Sequence, residues 1–506
     1  MAEPKDLQEH YKEMPLYDEI DKNINILKML LKENSDINFR ELTIGSKKTR
    51  GFLLNLDGMV DKDVVNKDIL EPIMAETRKI EGKIFTKKQV YETIRDHFIM
   101  AADVSEKSKI GEIVDGILEG NTALIIDGVD KGIIISTKGW PERSISEPTS
   151  ESTIRGPKEG FVETLRVNTS MLRRRIKNPN FIIESMKIGK YTKTDVVIAY
   201  IKDIAEDKVI KEVRKRLNKI DIDAVMDTGY LEEFIEDNPF SPFPQIEHTL
   251  RPDKVAAEIL EGRVAVMSDG SPYALLVPTV FIQFLQASED YYERYPISSF
   301  LRVLRMISMF IALLLPSIYI AVTTYHQEML PAPLIISCAS QRENVPFPGL
   351  LEVMFLEFFF EMLREASVRL PMQMGQAVSI VGALVIGQAA VQAGLVSASM
   401  VIVVAMAGIA SFSIPAFNLA ITFRILRFIM LFAAGTLGFF GIIMVLMVIL
   451  VHMVSLESFG VPYMSPIAPG RSEELKDVFV RAPWWWKALR PFSIADKNVV
   501  KQRRKR

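Results

Sequence analysis

The sequence predicts an α/β duplicated two-lobed cytoplasmic region followed by an α-helical polytopic membrane domain. Three observations lead there. The 506 residues change character near Arg305: the chain before it is charged and mixed, and long apolar runs dominate after it. Two pairs of segments in the first part repeat at nearly equal offsets. In the second part, an apolar helix carrying four glutamates lies between uncharged stretches.

Composition excludes several classes. The net charge of -2 gives no argument for nucleic-acid binding. The lone Cys338 excludes an internal disulfide framework and a cysteine-rich zinc site. The five histidines, His10, His97, His248, His326 and His452, have no metal-ligand spacing. No nucleophile–base pair, metal cluster or phosphate loop is visible, so neither an enzyme nor a cofactor is expected.

Residues 1–36 read as a polar leader with a short helix. The start lacks the apolar core of a signal peptide, so the N-terminal region is expected in the cytoplasm. The repeat follows. KTRGFLLNLDGMVDKDVV from Lys48 resembles KTDVVIAYIKDIAEDKVI from Lys193, and ILEGNTALIIDG from Ile117 matches ILEGRVAVMSDG from Ile259, offsets of 145 and 142 residues. Each second-pair copy is a helix end, a glycine stop, a strand and an Asp-Gly turn. Two α/β lobes are therefore expected, at 37–140 and 180–280. Two lobes can enclose a ligand cleft. Residues 141–179 read as a linker and a basic helix ending in Arg173, Arg174 and Arg175. That cluster is a candidate surface for a partner or for lipid headgroups, or a plain solvated face.

Residues 281–302 read as an interfacial segment, with Tyr291, Tyr292 and Tyr295 ahead of the first span. The membrane domain is expected at 303–456, with spans at 303–327, 375–394, 396–414 and 428–456. Within it, Gly349 to Leu370 carries Glu352, Glu357, Glu361 and Glu365 beside Phe355, Phe358, Phe359 and Phe360. At about 100° per residue, Glu357, Glu361 and Glu365 fall within roughly 80° of one another. Two readings fit this stripe: the lining of an ion path, or an amphipathic helix at the membrane surface. A re-entrant helix at 349–370 keeps the number of crossings even, with the basic tail, 457–506, in the cytoplasm.

Several long motifs, in order, resemble the A subunits of GerA-type spore germination receptors, including the related A-subunit-like protein of the dipicolinate-channel operon. They are RGPKEGFVETLRVNTSMLRRRI (155–176), KEVRKRLNKIDIDAVMDTGYLEEFIEDNPFSPFPQ (211–245), GRVAVMSDGSPYALLVP (262–278), FLQASEDYYERYP (284–296) and PFPGLLEVMFLEFFFEMLREASVRLP (346–371). The resemblance implies a place in the spore inner membrane, with the N-terminal domain facing the core. It implies homo-oligomeric ion channels for monovalent cations, acting with a B-type multi-span subunit and a C-type lipoprotein. An accessory homologue that amplifies germination, or a non-conducting scaffold, are the alternatives. Glu357, Glu361 and Glu365 as pore-lining groups come from the stripe itself, not from the family.

Overall fold

The computed structural model describes residues 10–45, 49–76, 86–101, 103–140, 151, 153–369, 387–470, 474–495 and 497–502. It divides into two compact units. Met1–Glu236, Ile246–Pro278 and Ala488–Arg506 form one; Asp237–Gln245 and Thr279–Lys487 form the other.

In the first unit, lobe 1 runs α1 (Ile20–Leu31), β1 (Ile37–Ile44), β2 (Thr49–Leu56), α2 (Lys87–Thr93), β3 (Val104–Lys107), α3 (Ile110–Leu118), β4 (Thr122–Ile126) and β5 (Gly132–Ile135). Its strands form one antiparallel sheet in the order β1-β2-β4-β5-β3. Residue alternation assigns the two faces. Phe52, Leu54, Leu56, Ala123, Ile125 and Ile134 pack under α1 and α3. Leu53, Leu124, Ile126, Ile133 and Ile135 pack on the opposite face, with Ile69, Ile73, Tyr91 and Ile94.

Lobe 2 runs α4 (Leu165–Arg175), β6 (Phe181–Ile188), β7 (Thr194–Ile201), α5 (Asp207–Asn218), α6 (Thr228–Ile235), β8 (Glu247–Thr249), α7 (Pro252–Leu260), β9 (Val264–Ser268) and β10 (Ala274–Val277). Its sheet order, β6-β7-β9-β10-β8, repeats that of lobe 1 position by position. Gly128 and Gly270, in the two Asp-Gly turns, have φ of +86° and +85°, where a side chain would be strained.

The repeat reaches further back than the sequence suggests. In lobe 1, Asn23 bonds Tyr17 through both its side-chain atoms, Asp127 Oδ1 accepts the Ile20 N–H, and Gly128 N–H donates to Asp18 O. In lobe 2, Asn168 bonds Val162 in the same way, Asp269 Oδ1 accepts the Leu165 N–H, and Gly270 N–H donates to Glu163 O. Thus α1 and α4 are the same element of the two copies, not a leader helix and a linker helix. Asp269 and Asp127 each satisfy an N–H at a helix start that would otherwise lack a partner.

In lobe 2, His248 Nδ1 lies 3.6 Å from Glu232 Oε2, and its ring meets Tyr273 edge-on. Burial alone would push the imidazole pKa down. The Glu232 carboxylate, with Glu151 and Glu247 behind it, more than reverses this and holds it above its ordinary value. The sign follows: a pKa raised in the folded state contributes stability below the unfolded value of about 6.5, lost as pH rises through the folded value. Glu232→Gln should therefore flatten the pH dependence of the thermal midpoint in that window, and leave the midpoint at higher pH least changed.

The second unit is helical: α8 (Tyr295–Thr324), α9 (Ala332–Arg342), α10 (Gly349–Arg369), α11 (Gly387–Gln392), α12 (Ala398–Phe412) and α13 (Phe417–Ser455). Among the described residues, α8 and α13 are long and apolar enough to cross a membrane, with mean hydropathies of 2.1 and 2.7 over their most apolar 18-residue stretches. α8 starts ahead of the expected span at 303–327. α13 starts ahead of the expected 428 because Arg424 and Arg427 are paired inside the bundle and do not end the helix. Gly438, at φ 60° and ψ -139°, interrupts it. The expected span 375–394 lies mostly outside the described residues.

The loop Asp237–Gln245 packs on α13. Phe243 is buried edge-on against Phe423, Ser241 Oγ is 2.9 Å from His452 Nε2, and Thr422 Oγ1 donates to Pro242 O. The described part of the tail is folded. Val461, Tyr463 and Val478 lie in the helical core, and Ala495 in the core of lobe 2. Apolar residues after Leu456 explain this: a free tail would expose them.

Candidate functional site

The acid helix is α10, and each of its glutamates has a defined setting. Near its start Glu352 is buried, and its Oε1 accepts the Ser397 N–H at 2.5 Å and the Ser397 hydroxyl at 2.6 Å. Ser397 is the residue before α12, so a carboxylate meets the positive end of that helix.

The three-glutamate stripe is paired with arginines. Arg427 Nη1 donates to both oxygens of Glu357 at 2.8 Å, with each side chain only 1% exposed. Arg424 Nη1 donates to Glu361 Oε2 at 2.7 Å. Arg364 reaches Glu361 Oε1 at 3.4 Å, and also donates to Ser411 Oγ. Its guanidinium lies over the rings of Phe360 and Phe412. Glu365 pairs with Arg369 in the open. Glu357 and Glu361 are one helical turn apart, and Arg424 and Arg427 nearly so, which lets α10 and α13 face each other charge to charge.

Such an arrangement differs from bare carboxylates. Along the stripe the burial falls from Glu357, closed off, through Glu361, 27% exposed, to Glu365, 65% exposed. Glu361 is shared between two guanidiniums and less enclosed than Glu357, so of the two glutamates facing α13 it can change partners at less cost. Among the described residues, Arg427 Nε and Nη2 and Arg424 Nε are buried without a hydrogen-bond acceptor. The network therefore has donors in excess of its acceptors.

The basic cluster separates into two environments. Arg173 is buried: its guanidinium donates to Asp36 at 2.8 and 2.9 Å, to Asn34 Oδ1 at 2.6 Å and to Phe181 O at 2.7 Å. It is not a surface for lipid or partner. Arg174 lies over Trp140 and 3.5 Å from Glu159, and Arg175 donates to Glu159 at 2.5 Å. Consecutive helical residues point about 100° apart, so three in a row cannot share one face. Arg173 points at the junction of the lobes, where Ser35 N–H also donates to Ile183 O. A polar hollow of about 390 Å³, lined by Asp103, Glu112, Asp115 and Glu119, lies within lobe 1 rather than between the lobes.

Sequence reasoning missed a second charged centre, at the base of α8. Arg302 is fully buried between Asp290 and Asp477, and Arg305 donates to both oxygens of Asp290 at 2.8 Å. Asp477 comes from far along the chain, and no local pattern announces it.

Comparison with known proteins assigns the family. The model of the "Bacillus/Clostridium GerA spore germination protein" family matches residues 25–493. The chain is 46% identical to "Uncharacterized membrane protein YfkQ" of Bacillus subtilis (strain 168) over 498 residues, covering 98% of this chain and 95% of that one. It is 44% identical to "Spore germination protein KA" of the same organism over 482 residues, covering 95% and 88%. The crystal structure of the N-terminal domain of the A subunit of the Bacillus megaterium spore germinant receptor GerK3 aligns with 53% of this chain and 98% of its own, at 35% identity and a TM-score of 0.42. With matches over nearly its whole length, the chain belongs to the Bacillus/Clostridium GerA spore germination protein family.

Proposed function

We propose that this chain is the A-type subunit of a spore germinant receptor and contributes to a nutrient-gated path for monovalent cations in the spore inner membrane. In this reading it works as a homo-oligomer with a B-type multi-span subunit and a C-type lipoprotein, and the α/β unit and the tail face the core. The membrane part crosses four times, with α10 re-entrant. The observation that carries the reading is the glutamate–arginine network between α10 and α13. Ionisable groups inside an apolar helical bundle are costly, and their usual use is an ion or proton pathway. Several copies would gather one Glu361 from each chain around a common axis, and rings of carboxylates favour cations. Closure of the pairs with Arg364 and Arg424 corresponds to a resting state; opening would release Glu361 from them.

The deep burial of the Glu357–Arg427 pair favours a second reading, a non-conducting scaffold in which ion pairs lock helices together. One experiment separates the two. The chain is expressed with the B-type and C-type partners of its gene neighbourhood in a vegetative membrane, and potassium efflux is followed. Under the channel reading, Glu361→Gln lowers efflux several-fold at equal protein level. Unchanged efflux moves the path elsewhere in the molecule. No efflux from an assembled wild-type complex favours the scaffold.

A further inference from the structure

Trp484–Trp486 form a single tight turn near the end of the helical unit, with relative exposures of 46%, 62% and 62%. Three adjacent indoles left this open are unusual, because tryptophan is normally well covered. The turn is nevertheless held firmly. Trp485 meets Tyr295, the first residue of α8, edge-on at 6.0 Å, and Trp484 packs on Tyr291 at 5.8 Å. Ser299 Oγ donates to Arg481 O, Lys487 Nζ donates to Asp477 Oδ2 at 2.5 Å, and Arg302 donates to Asp477 O. The tail is thus fastened to the base of α8 by its polar groups and by one face of Trp484 and Trp485, while more than half of Trp485 and of Trp486 stays exposed.

The same polar groups shift where the apolar surface of α8 begins. Arg302 is fully buried between Asp290 and Asp477, and Arg305, 12% exposed, is turned onto Asp290, so both charges are spent inward. What α8 exposes there is Ile297, Phe300, Leu301, Val303, Leu304 and Ile307. The outward face is therefore apolar from Ile297. A run of about 20 helical residues from that point covers a hydrocarbon core of about 30 Å. Trp485, level with Tyr295, lies at its edge, where indole and phenol rings beside cationic side chains are favoured.

We propose that Trp484, Trp485 and Trp486 form an interfacial anchor that seats the start of α8 in the lipid headgroup zone of the bilayer. The occupant of this surface is lipid, and the argument is its continuity with the exposed apolar face of α8. The anchor rests on the reading that α8 crosses the membrane. It fixes the depth of α8 from outside the helix, through a segment that follows α13 in the chain.

The sequence contains four tryptophans, so a Trp140→Phe chain reports on the tail alone. The full-length variant is reconstituted in phosphatidylethanolamine–phosphatidylglycerol vesicles whose acyl chains carry bromine either near the headgroup or near the chain end. Tail emission should be quenched at least twofold more by the shallow bromines, and be shielded from aqueous acrylamide. Quenching by acrylamide with no effect of either bromolipid overturns the anchor. Protection from all three quenchers also overturns it, because a protein surface then covers the turn. A companion chain, with the four tryptophans changed to phenylalanine and Phe310→Trp added in α8, should be quenched by the deep bromines. Failure of that companion removes the span itself, which distinguishes it from failure of the anchor. Should Trp140→Phe not accumulate, the difference in emission between wild type and Trp484→Phe/Trp485→Phe/Trp486→Phe reads the same quantity.

Discussion

Arg427→Leu should destabilise the helical unit by about 3–5 kcal/mol, the cost of leaving a buried charge without its partner. The residue left behind is Glu357, which is 1% exposed and takes both of its 2.8 Å bonds from the Arg427 Nη1. In an apolar bundle no water is at hand to replace the guanidinium. The variant should accumulate poorly and lose its thermal midpoint in detergent. The double variant Glu357→Leu/Arg427→Leu should recover most of the loss, since replacing a whole buried ion pair by apolar groups is often neutral. A single variant as stable as wild type would mean that the pair does not hold α10 to α13. The two results together also bear on function. If the double variant is stable and conducts normally, this pair is structural, and the gating groups lie nearer Glu361.

Arg173→Leu should cost the α/β unit a similar amount, again about 3–5 kcal/mol. Here the loss is concentrated at one junction. Asp36, 1% exposed, would be buried without a counter-charge, the Phe181 carbonyl would lose the guanidinium, and Asn34 Oδ1 would keep only the Ile183 N–H. Arg173→Lys should rescue little, because an ammonium is a point donor and three separate acceptors surround a planar fork. Hydrogen exchange is the sharper readout. Ser35 N–H donates to Ile183 O across the junction, and it should lose protection more than amides in the centre of either sheet. Equal loss throughout would mean that the two lobes unfold as one body and the arginine is not a local weld.

Much of the duplicated fold was legible because its signals are local. A glycine after ILE or ILEG-type helix ends, and an Asp-Gly pair between apolar runs, each follow from backbone geometry within a few residues. The equivalence of α1 and α4 was harder to read. It rests on a buried asparagine bonding back six residues, Asn23 to Tyr17 and Asn168 to Val162, and the flanking side chains differ. Arg173, Arg174 and Arg175 looked like one surface because composition ignores direction. The acid stripe on α10 was legible from spacing alone. Its arginines were not, since Glu357 and Arg427 are 70 residues apart and nothing local ties them. The same holds for the proline-rich loop, whose seat against Phe423 and His452 nothing local announces.

The segment around Ala495 bears on the order in which this protein is made. Ala495 is fully buried in the core of lobe 2, Arg490 Nε donates to Leu260 O at 2.8 Å, and Lys497 pairs with Asp207 at 2.6 Å. Among the described residues, the two cores of lobe 1 reach no further along the chain than Trp140, and can close early as the chain leaves the ribosome. Lobe 2 has its strands by Val277, yet its core waits for a segment translated after every helix of the second unit. A closed second lobe therefore requires that the segment around Ala495 has been made. A product cut short in α13 would keep its first lobe whole and leave the second open where Ala495 belongs, a difference that quality-control proteases can recognise.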